Sequence, residues 1–396
     1  MTIAIVGTGI AGLGAAYALS AVHDVELFER EAAVGGHAHT VEADSLALDM
    51  GFIVHNEPNY PLLTRLYREL GVATQSSEMS FSVGCGCGLE WSSRRPWLAG
   101  PRLLREILRF LRTAGEADTA GRSLERFVRD EGYSAGFRCH YLVPMTAALW
   151  STAPRRALEF PAETLIRFFD HHGMLGLRRH RWRTVVGGSR ASVVALLARL
   201  RGRVHAQLPV RAVERTRGGA VVHTADGEAR RFDAVVLATH APDALALLAD
   251  PSAEERRLLG AFADTRNEVV LHTDERLLPR RPGARASWNY RLPSCADALA
   301  RPAMTYSLNR LQRLPAGRQY CVTLNRTDEI DPARVLRRVR WAHPQVTPES
   351  VAAQAELHRL NGPRATAFCG AWQGNGFHEA GLASGLRAAA ALGVRR

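Results

Sequence analysis

"IAIVGTGIAGLGAAYALSAVHDVELFER", residues 3–30, decides how the chain is read. Residues 3–6 are a short apolar run, Gly7-x-Gly9-x-x-Gly12 follows at once, and residues 13–19 have the small and apolar side chains of a buried helix. Strand, glycine turn and helix in that order form the context that a dinucleotide fingerprint requires. Gly7 permits the tight turn, Gly9 leaves room for backbone N–H groups to approach a pyrophosphate, and Gly12 lets helix and strand touch. Ile10 and Ala11 stand at the N-terminus of that helix, the positive end of its dipole. A second strand, 25–28, ends at Glu29, roughly 20 residues past the glycines, where a carboxylate accepts ribose hydroxyl protons. The same carboxylate repels a 2′-phosphate, which makes NADP the poorest candidate.

Composition bounds the rest. A chain of 396 residues, 46% hydrophobic and 23% charged, has room for two cores and is ordinary globular material. No apolar run reaches the roughly 18 residues of a spanning helix, and the apolar start has no basic leader, so a cytoplasmic protein is expected. All 51 basic residues are arginine. The lack of lysine excludes Schiff-base chemistry, pyridoxal-phosphate chemistry and a phosphate loop that ends in lysine. A net charge of +12 favours anionic partners. Six cysteines do not make a disulfide framework, and Cys85-Gly86-Cys87-Gly88 reads as a turn because two further ligands at a plausible spacing are missing; no metal is expected.

Other segments choose among dinucleotides. In "GGHAHT" (35–40), Gly35 and Gly36 can approach a second phosphate, with His37 or Thr40 in reach of a hydrogen bond. Residues 208–242 contain three β-branched runs separated by turns at 217–219 and 225–227, and the last of them, 234–238, returns as a buried parallel strand. Residues 367–389 give an apolar strand start, a glycine-rich loop and a small-residue helix. Three separated segments converging on one extended ligand suit FAD better than a dissociable nicotinamide.

These motifs, together with Arg30 after Glu29, "DMGFIVHNEPNYP" (49–61), "WNY" (288–290), "SLNRLQ" (307–312), "VTLN" (322–325) and "GAWQGNGFHEAG" (370–381), resemble the flavin-containing amine oxidase and phytoene desaturase superfamily. More narrowly, they are similar to a bacterial group related to the oxidase portion attached to some cyclopropane fatty acid synthases. The resemblance implies that Gly7, Gly9, Gly12, Glu29, Arg30, Gly35, Gly36 and His37 face the adenosine and pyrophosphate. It implies that Val210 touches the adenine side and that Gly370, Gly376, Phe377, His378 and Glu379 approach the flavin. Many amine oxidases of the superfamily have an arginine where His37 stands, an acid at Ala371 and a lysine near the flavin. With no second fingerprint for a nicotinamide domain, the electrons are expected to leave to oxygen or another carrier.

The expected architecture is α/β: a Rossmann-type FAD-binding domain, a parallel sheet with a β-meander, interleaved with an α+β substrate domain. The FAD-binding segments are 1–79, 184–248 and 363–396; the substrate segments are 80–183 and 249–362. In "PRLLREILRFLRTAG" (101–115), Leu103, Leu104, Ile107, Leu108, Phe110 and Leu111 form the apolar side of a helix and four arginines lie opposite. Such a helix packs in a core or lies on the anionic inner face of a membrane. His171-His172 point apart and make poor co-ligands, and "RRHRWR" (178–183) belongs to no nucleic-acid module, so no nucleic acid is expected. Ser189 lacks a nucleophile-elbow context.

The expected activity is hydride removal from a C–H bond of a lipid-like substrate, an unsaturated or cyclopropane fatty acyl chain being the example the resemblance suggests. Conventional amine oxidation, or a nonenzymatic flavin-binding role beside a lipid-modifying methyltransferase, are the alternatives. Hydride transfer needs no side-chain nucleophile, so no catalytic residue is assigned; Phe52, His55, Trp288, Tyr290 and Trp372 are candidates for the pocket.

Overall fold

The computed structural model describes residues 1–150, 157–175, 180–295 and 303–393. Its first strand, β1 (Thr2–Val6), helix α1 (Ile10–Leu19) and second strand, β2 (Asp24–Phe28), follow the order read from the fingerprint. β1 lies at the centre of a five-stranded sheet in the order Gly202–His205, β2, β1, Ala234–Leu237, Thr366–Phe368. Every neighbouring pair in it is parallel. The chain leaves β1 toward β2 on one side and meets Ala234–Leu237 on the other, so the crevice past its C-terminal end is the switch point where such sheets bind ligands.

The meander is Val210–Thr216, Gly219–Thr224 and Ala229–Phe232, all antiparallel. The stretch after the 225–227 turn divides at Asp233, whose carboxylate accepts the Thr2 N–H at 2.7 Å, so a meander strand precedes the 234–238 run. Residues before it stay in the meander, and Ala234–Leu237 enters the parallel sheet.

A seven-stranded sheet carries the other core, in the order Val335–Pro344, Asp264–His272, Cys321–Leu324, Met304–Ser307, Trp288–Leu292, Phe81–Cys85, Glu90–Ser92. It is antiparallel except where Phe81–Cys85 runs parallel to Trp288–Leu292. Helices Pro101–Thr113, Leu124–Asp130, Val143–Trp150 and Ala162–His171 supply its aromatic and aliphatic core. Residues Leu258, Leu259, Ala353 and Leu357 pack instead with Ala4 and Val6 of β1.

The Pro101–Thr113 helix buries Leu103, Ile107 and Phe110 in that core. The apolar side read from sequence included Leu108, which the structure corrects: it is 41% exposed. At 100° per residue, Leu108 is the member farthest round from the buried trio, so it leaves the stripe. Among the described residues no helix is long and apolar enough to cross a membrane.

Candidate functional site

The site begins where β1 ends. Gly7 turns with φ +101, and a Cβ there would stand 2.8 Å from the Ala238 carbonyl oxygen at the end of the adjacent strand. At Gly9, by contrast, a Cβ would meet nothing within 4 Å. The second glycine turn closes over it: Gly36 has φ +57 and would place a Cβ 3.0 Å from Gly9 Cα. Two backbones therefore meet with open space left beside Gly9, a cradle that any side chain at position 9 would fill.

Helix packing aims two N-termini at this cradle. A Cβ on Gly381 would lie 2.7 Å from the Ile10 side chain, and one on Gly385 would lie 2.1 Å from the Ala11 carbonyl oxygen and 2.9 Å from Ala15 N. These contacts lay the His378–Ala391 helix along α1 in the same sense, so their positive ends lie together.

Glu29 is buried at the end of β2. Its Oε2 accepts the Thr8 N–H at 3.1 Å and the Thr8 hydroxyl, and its Oε1 accepts the Glu31 N–H at 3.0 Å. The Glu29 carbonyl accepts from Leu208 N at 2.9 Å, which carries the start of the meander, and Val210 with it, to the same strand end. Arg30 points to solvent beside Glu31, 3.3 Å away.

Past the glycine turns lies a group of histidines. The His37 ring packs 4.9 Å from Trp341, 5.5 Å from His343 and 6.5 Å from His240. His378 stacks on Phe52 at 3.8 Å, and Phe52 lies 6.5 Å from His55. His37 Nε2, His378 Nε2 and His55 Nδ1 are all out of solvent with no hydrogen-bond partner. Burial, then the neighbouring imidazoles, hold His37 well below the usual histidine range. Burial takes His343 and His55 down to about 4 and His378 to about 3. His37, His55, His343 and His378 are thus uncharged at neutral pH, and three of their ring nitrogens are free. Orphaned polar atoms beside a glycine cradle fit an extended ligand with phosphates and a polar ring edge.

The remaining named residues divide. Phe377 is half-buried and packs on both cores, its ring 5.6 Å from Phe168. Glu379 caps the Pro61–Leu70 helix, its oxygens accepting from Leu62 N at 2.9 Å and Leu63 N at 3.0 Å. Gly370 donates its N–H to Ser384 Oγ at 2.9 Å, and Gly376 turns with φ +82 in open space. Of the five pocket candidates, Phe52 and His55 lie together beside His378. Trp372 is buried against Phe262 at 4.8 Å and donates its indole N–H to the Thr239 carbonyl at 3.1 Å. Tyr290 is buried in the core beside the seven-stranded sheet, and Trp288 packs edge-on against Tyr306 at 5.0 Å.

His240, Trp341 and His343 are absent from the sequence reading. Trp341 and His343 alternate along one strand, so they share a face, a period-2 signal the sequence does carry. Asp49 opens the 49–61 motif, but the sequence assigns it no role. It is fully buried and accepts from Thr40 Oγ1 at 2.6 Å, Ser189 N at 2.8 Å, Ser189 Oγ at 2.8 Å and Gln312 Nε2 at 3.1 Å. Burial pushes its carboxyl up to about 6, against the pull of these donors. Ser189 therefore fastens a turn.

His172 stacks on Phe168 at 3.7 Å, with its Nδ1 2.9 Å from the Phe168 carbonyl oxygen. Arg178 and Arg179 lie outside the described residues. The reading of Cys85 and Cys87 as a plain turn rested on missing ligands, and here the structure differs: His140 and Cys295 stand beside them.

A parallel sheet, a glycine cradle at its switch point and two convergent helix N-termini define a dinucleotide-binding protein of the flavin type. The profile of the flavin containing amine oxidoreductase family matches residues 10–393, and the chain belongs to that family. It is an FAD-dependent oxidoreductase. Its fold is similar to that of a putrescine oxidase variant, at 15% identity and TM-score 0.70 over 99% of this chain and 99% of that one. A conjugated linoleic acid (CLA)-producing fatty acid isomerase from P. acnes is similar at 17% identity and TM-score 0.69, over 97% and 96%. Cyclohexylamine oxidase from Brevibacterium oxydans matches at 15% identity and TM-score 0.69, over 99% and 98%.

Proposed function

We propose that this enzyme removes hydride from a C–H bond of a lipid-like substrate, an unsaturated or cyclopropane fatty acyl chain, rather than from an amine. The observation that carries the reading is the surface between the flavin loop and the substrate core. Phe52 on His378, and Phe377 against Phe168 and His172, make an aromatic wall whose histidines carry no charge. A buried ammonium substrate needs a carboxylate as its partner. Beside His378, Glu379 is engaged by the Leu62 and Leu63 amides, and on the His37 side Asp264 is engaged by His240 Nδ1 at 2.9 Å. An acyl chain needs neither.

In this reading Gly7, Gly9, Ile10, Ala11, Gly12, Gly35 and Gly36 hold the pyrophosphate, and Glu29 with Val210 holds the adenosine. Gly370, Gly376 and Phe377 bound the flavin side, where His378 presents a neutral ring nitrogen, and His37 stands beside the pyrophosphate turn at Gly35 and Gly36. FAD supplies the two-electron acceptor. The protein contributes orientation and exclusion of water, because packed aromatic rings leave the reacting carbon no hydrated surface.

A test incubates the flavin-loaded enzyme with phospholipids bearing unsaturated or cyclopropane chains and follows the chains by mass spectrometry. The expected product has lost two hydrogens per reacted chain. Unchanged acyl chains, with peroxide formed from putrescine or cyclohexylamine, favour the amine reading.

One further surface supports a lipid source at a membrane. Trp97 is 63% exposed and Leu108 41% exposed, beside the solvent-facing Arg102, Arg105 and Arg112. An exposed indole among arginines suits an anionic interface.

A further inference from the structure

We propose that Cys85, Cys87, His140 and Cys295 bind one zinc ion in a closed, structural site at the edge of the substrate domain. Three chain segments build it. Cys85 ends the Phe81–Cys85 strand, and Gly86 lets the following turn press against the segment that carries Cys295: a Cβ there would lie 1.8 Å from the Pro293 carbonyl oxygen. Cys87 stands in that turn, closed by Gly88 N donating to the Cys85 carbonyl at 3.0 Å. Cys295 follows the Trp288–Leu292 strand, whose Leu292 is the register partner of Cys85. His140 belongs to the wide helical turn Arg138–Leu142, a geometry common at functional positions, and its carbonyl accepts from Trp91 Nε1 at 3.1 Å.

Three of the six ligand-to-ligand distances lie close to the edges of a zinc tetrahedron. Cys85 Sγ and Cys295 Sγ are 3.7 Å apart, Cys295 Sγ and His140 Nε2 3.4 Å, and Cys87 Sγ and His140 Nε2 3.9 Å. All four ligand atoms lie within 4.8 Å of one another. Zinc bonds of about 2.3 Å to sulfur and about 2.0 Å to nitrogen put tetrahedral edges near 3.8 Å for sulfur pairs and near 3.5 Å for sulfur with nitrogen. Three sulfurs and an imidazole select a soft or borderline cation over magnesium or calcium. With four protein ligands no position is left for water or substrate, which marks a structural rather than a catalytic site. The ion would tie the 81–92 hairpin, the end of the Trp288–Leu292 strand and the 138–142 turn together, at the end of that strand opposite Trp288. Each coordinated cysteine gives up its thiol proton to solvent, so the exchange involves no oxidation.

The whole flavin-loaded protein, purified without chelator from zinc-supplemented cells under reducing conditions, tests this by metal analysis. One zinc per chain is expected, released when the thiols are capped with an organomercurial. Cobalt exchanged into the site should give the intense visible bands of tetrahedral thiolate coordination. Cys87→Ser and Cys295→Ser should lose the metal, whereas Cys139→Ser, adjacent to the site but outside the four, should keep it. Retained flavin absorbance shows that a variant has folded, and the cobalt spectrum of the wild type decides the matter if none does. Metal-free wild type, a Cys85–Cys295 disulfide in its place, or zinc retained by both folded variants would overturn the assignment.

Discussion

The two halves of this molecule are packed by opposite means. In the dinucleotide half, backbone touches backbone: a Cβ on Gly12 would sit 2.0 Å from the Gly7 carbonyl oxygen, and one on Gly385 would sit 2.1 Å from that of Ala11. In the half that carries the seven-stranded sheet, ring touches ring: Phe110 has the rings of Phe127, Tyr133, Phe137, Tyr141 and Phe169 between 5.5 and 6.4 Å away. Backbone contact admits one residue type. Ring contact admits any set of side chains of similar total volume. The first half is therefore intolerant of added side chains at its glycine contacts, while the second tolerates repacking.

The largest effect should come from filling a backbone contact. Gly12→Val and Gly385→Val are expected to yield no cooperatively folded protein, whereas Gly9→Val, with open space at its Cβ, should fold with the wild-type circular dichroism and no bound flavin. A folded Gly385→Val, or a flavin-loaded Gly9→Val, would break the comparison.

Acid comes next, and it acts on both halves. His55, His172, His272 and His343 are lowered by burial to about 4, and His378 to about 3. Between their folded values and the unfolded 6.5, the unfolded chain binds protons that the folded chain refuses, so stability falls as pH drops through that window. The four at about 4 cost up to about 3.4 kcal/mol each at the lower edge of that window, and His378 up to about 4.8 kcal/mol. Asp49, raised to about 6, works the other way, gaining stability as pH falls from 6 toward 3.8, but it is one group against five. Chemical denaturation at pH 7.5 and 5 should show a clear loss at the lower value; equal stabilities would mean that these rings are hydrated.

Truncating the centre of the ring-packed half sharpens the contrast. Phe110→Ala is expected to cost about 3–5 kcal/mol in denaturant unfolding, with Phe110→Leu costing a fraction of that. Glu29→Ala should be milder and local, weakening flavin binding by the loss of charge-assisted hydrogen bonds worth about 1.5–3 kcal/mol each, as read by flavin titration. The smallest effect belongs to the surface. Arg102, Arg105 and Arg112 changed together to Gln should weaken binding to anionic vesicles by about 1 kcal/mol per charge at most, less with added salt, and leave flavin content unchanged. Arg109 is spared because its guanidinium lies 3.9 Å from the Tyr133 ring centre and donates to the Glu131 carbonyl.

The same contrast explains what the sequence discloses. Gly7, Gly9, Gly12 and Glu29 are legible because one strand, one turn and one helix impose their spacing locally. The meander and the returning strand at Ala234–Leu237 are legible through their turns. The histidines around His37 are not, since His240 and His343 arrive from separate strand ends and only the fold brings them together. Asp49 is hidden for a like reason, its donors coming from Thr40, Ser189 and Gln312. The cysteine cluster is the extreme case: His140 lies 53 residues from Cys87, and Cys295 lies 210 from Cys85. In the Pro101–Thr113 helix the amphipathic pattern is plain, yet periodicity says nothing about what covers the apolar side.

The claim that the aromatic wall serves a C–H substrate at FAD is tested most directly by anaerobic mixing. The oxidised enzyme is mixed with an unsaturated or cyclopropane phospholipid, or with putrescine or cyclohexylamine, and the flavin absorbance is followed in time. The account predicts bleaching by the lipid, slowed when the reacting carbon carries deuterium, and no bleaching by either amine. Rapid bleaching by an amine, with the lipid inert, would contradict it.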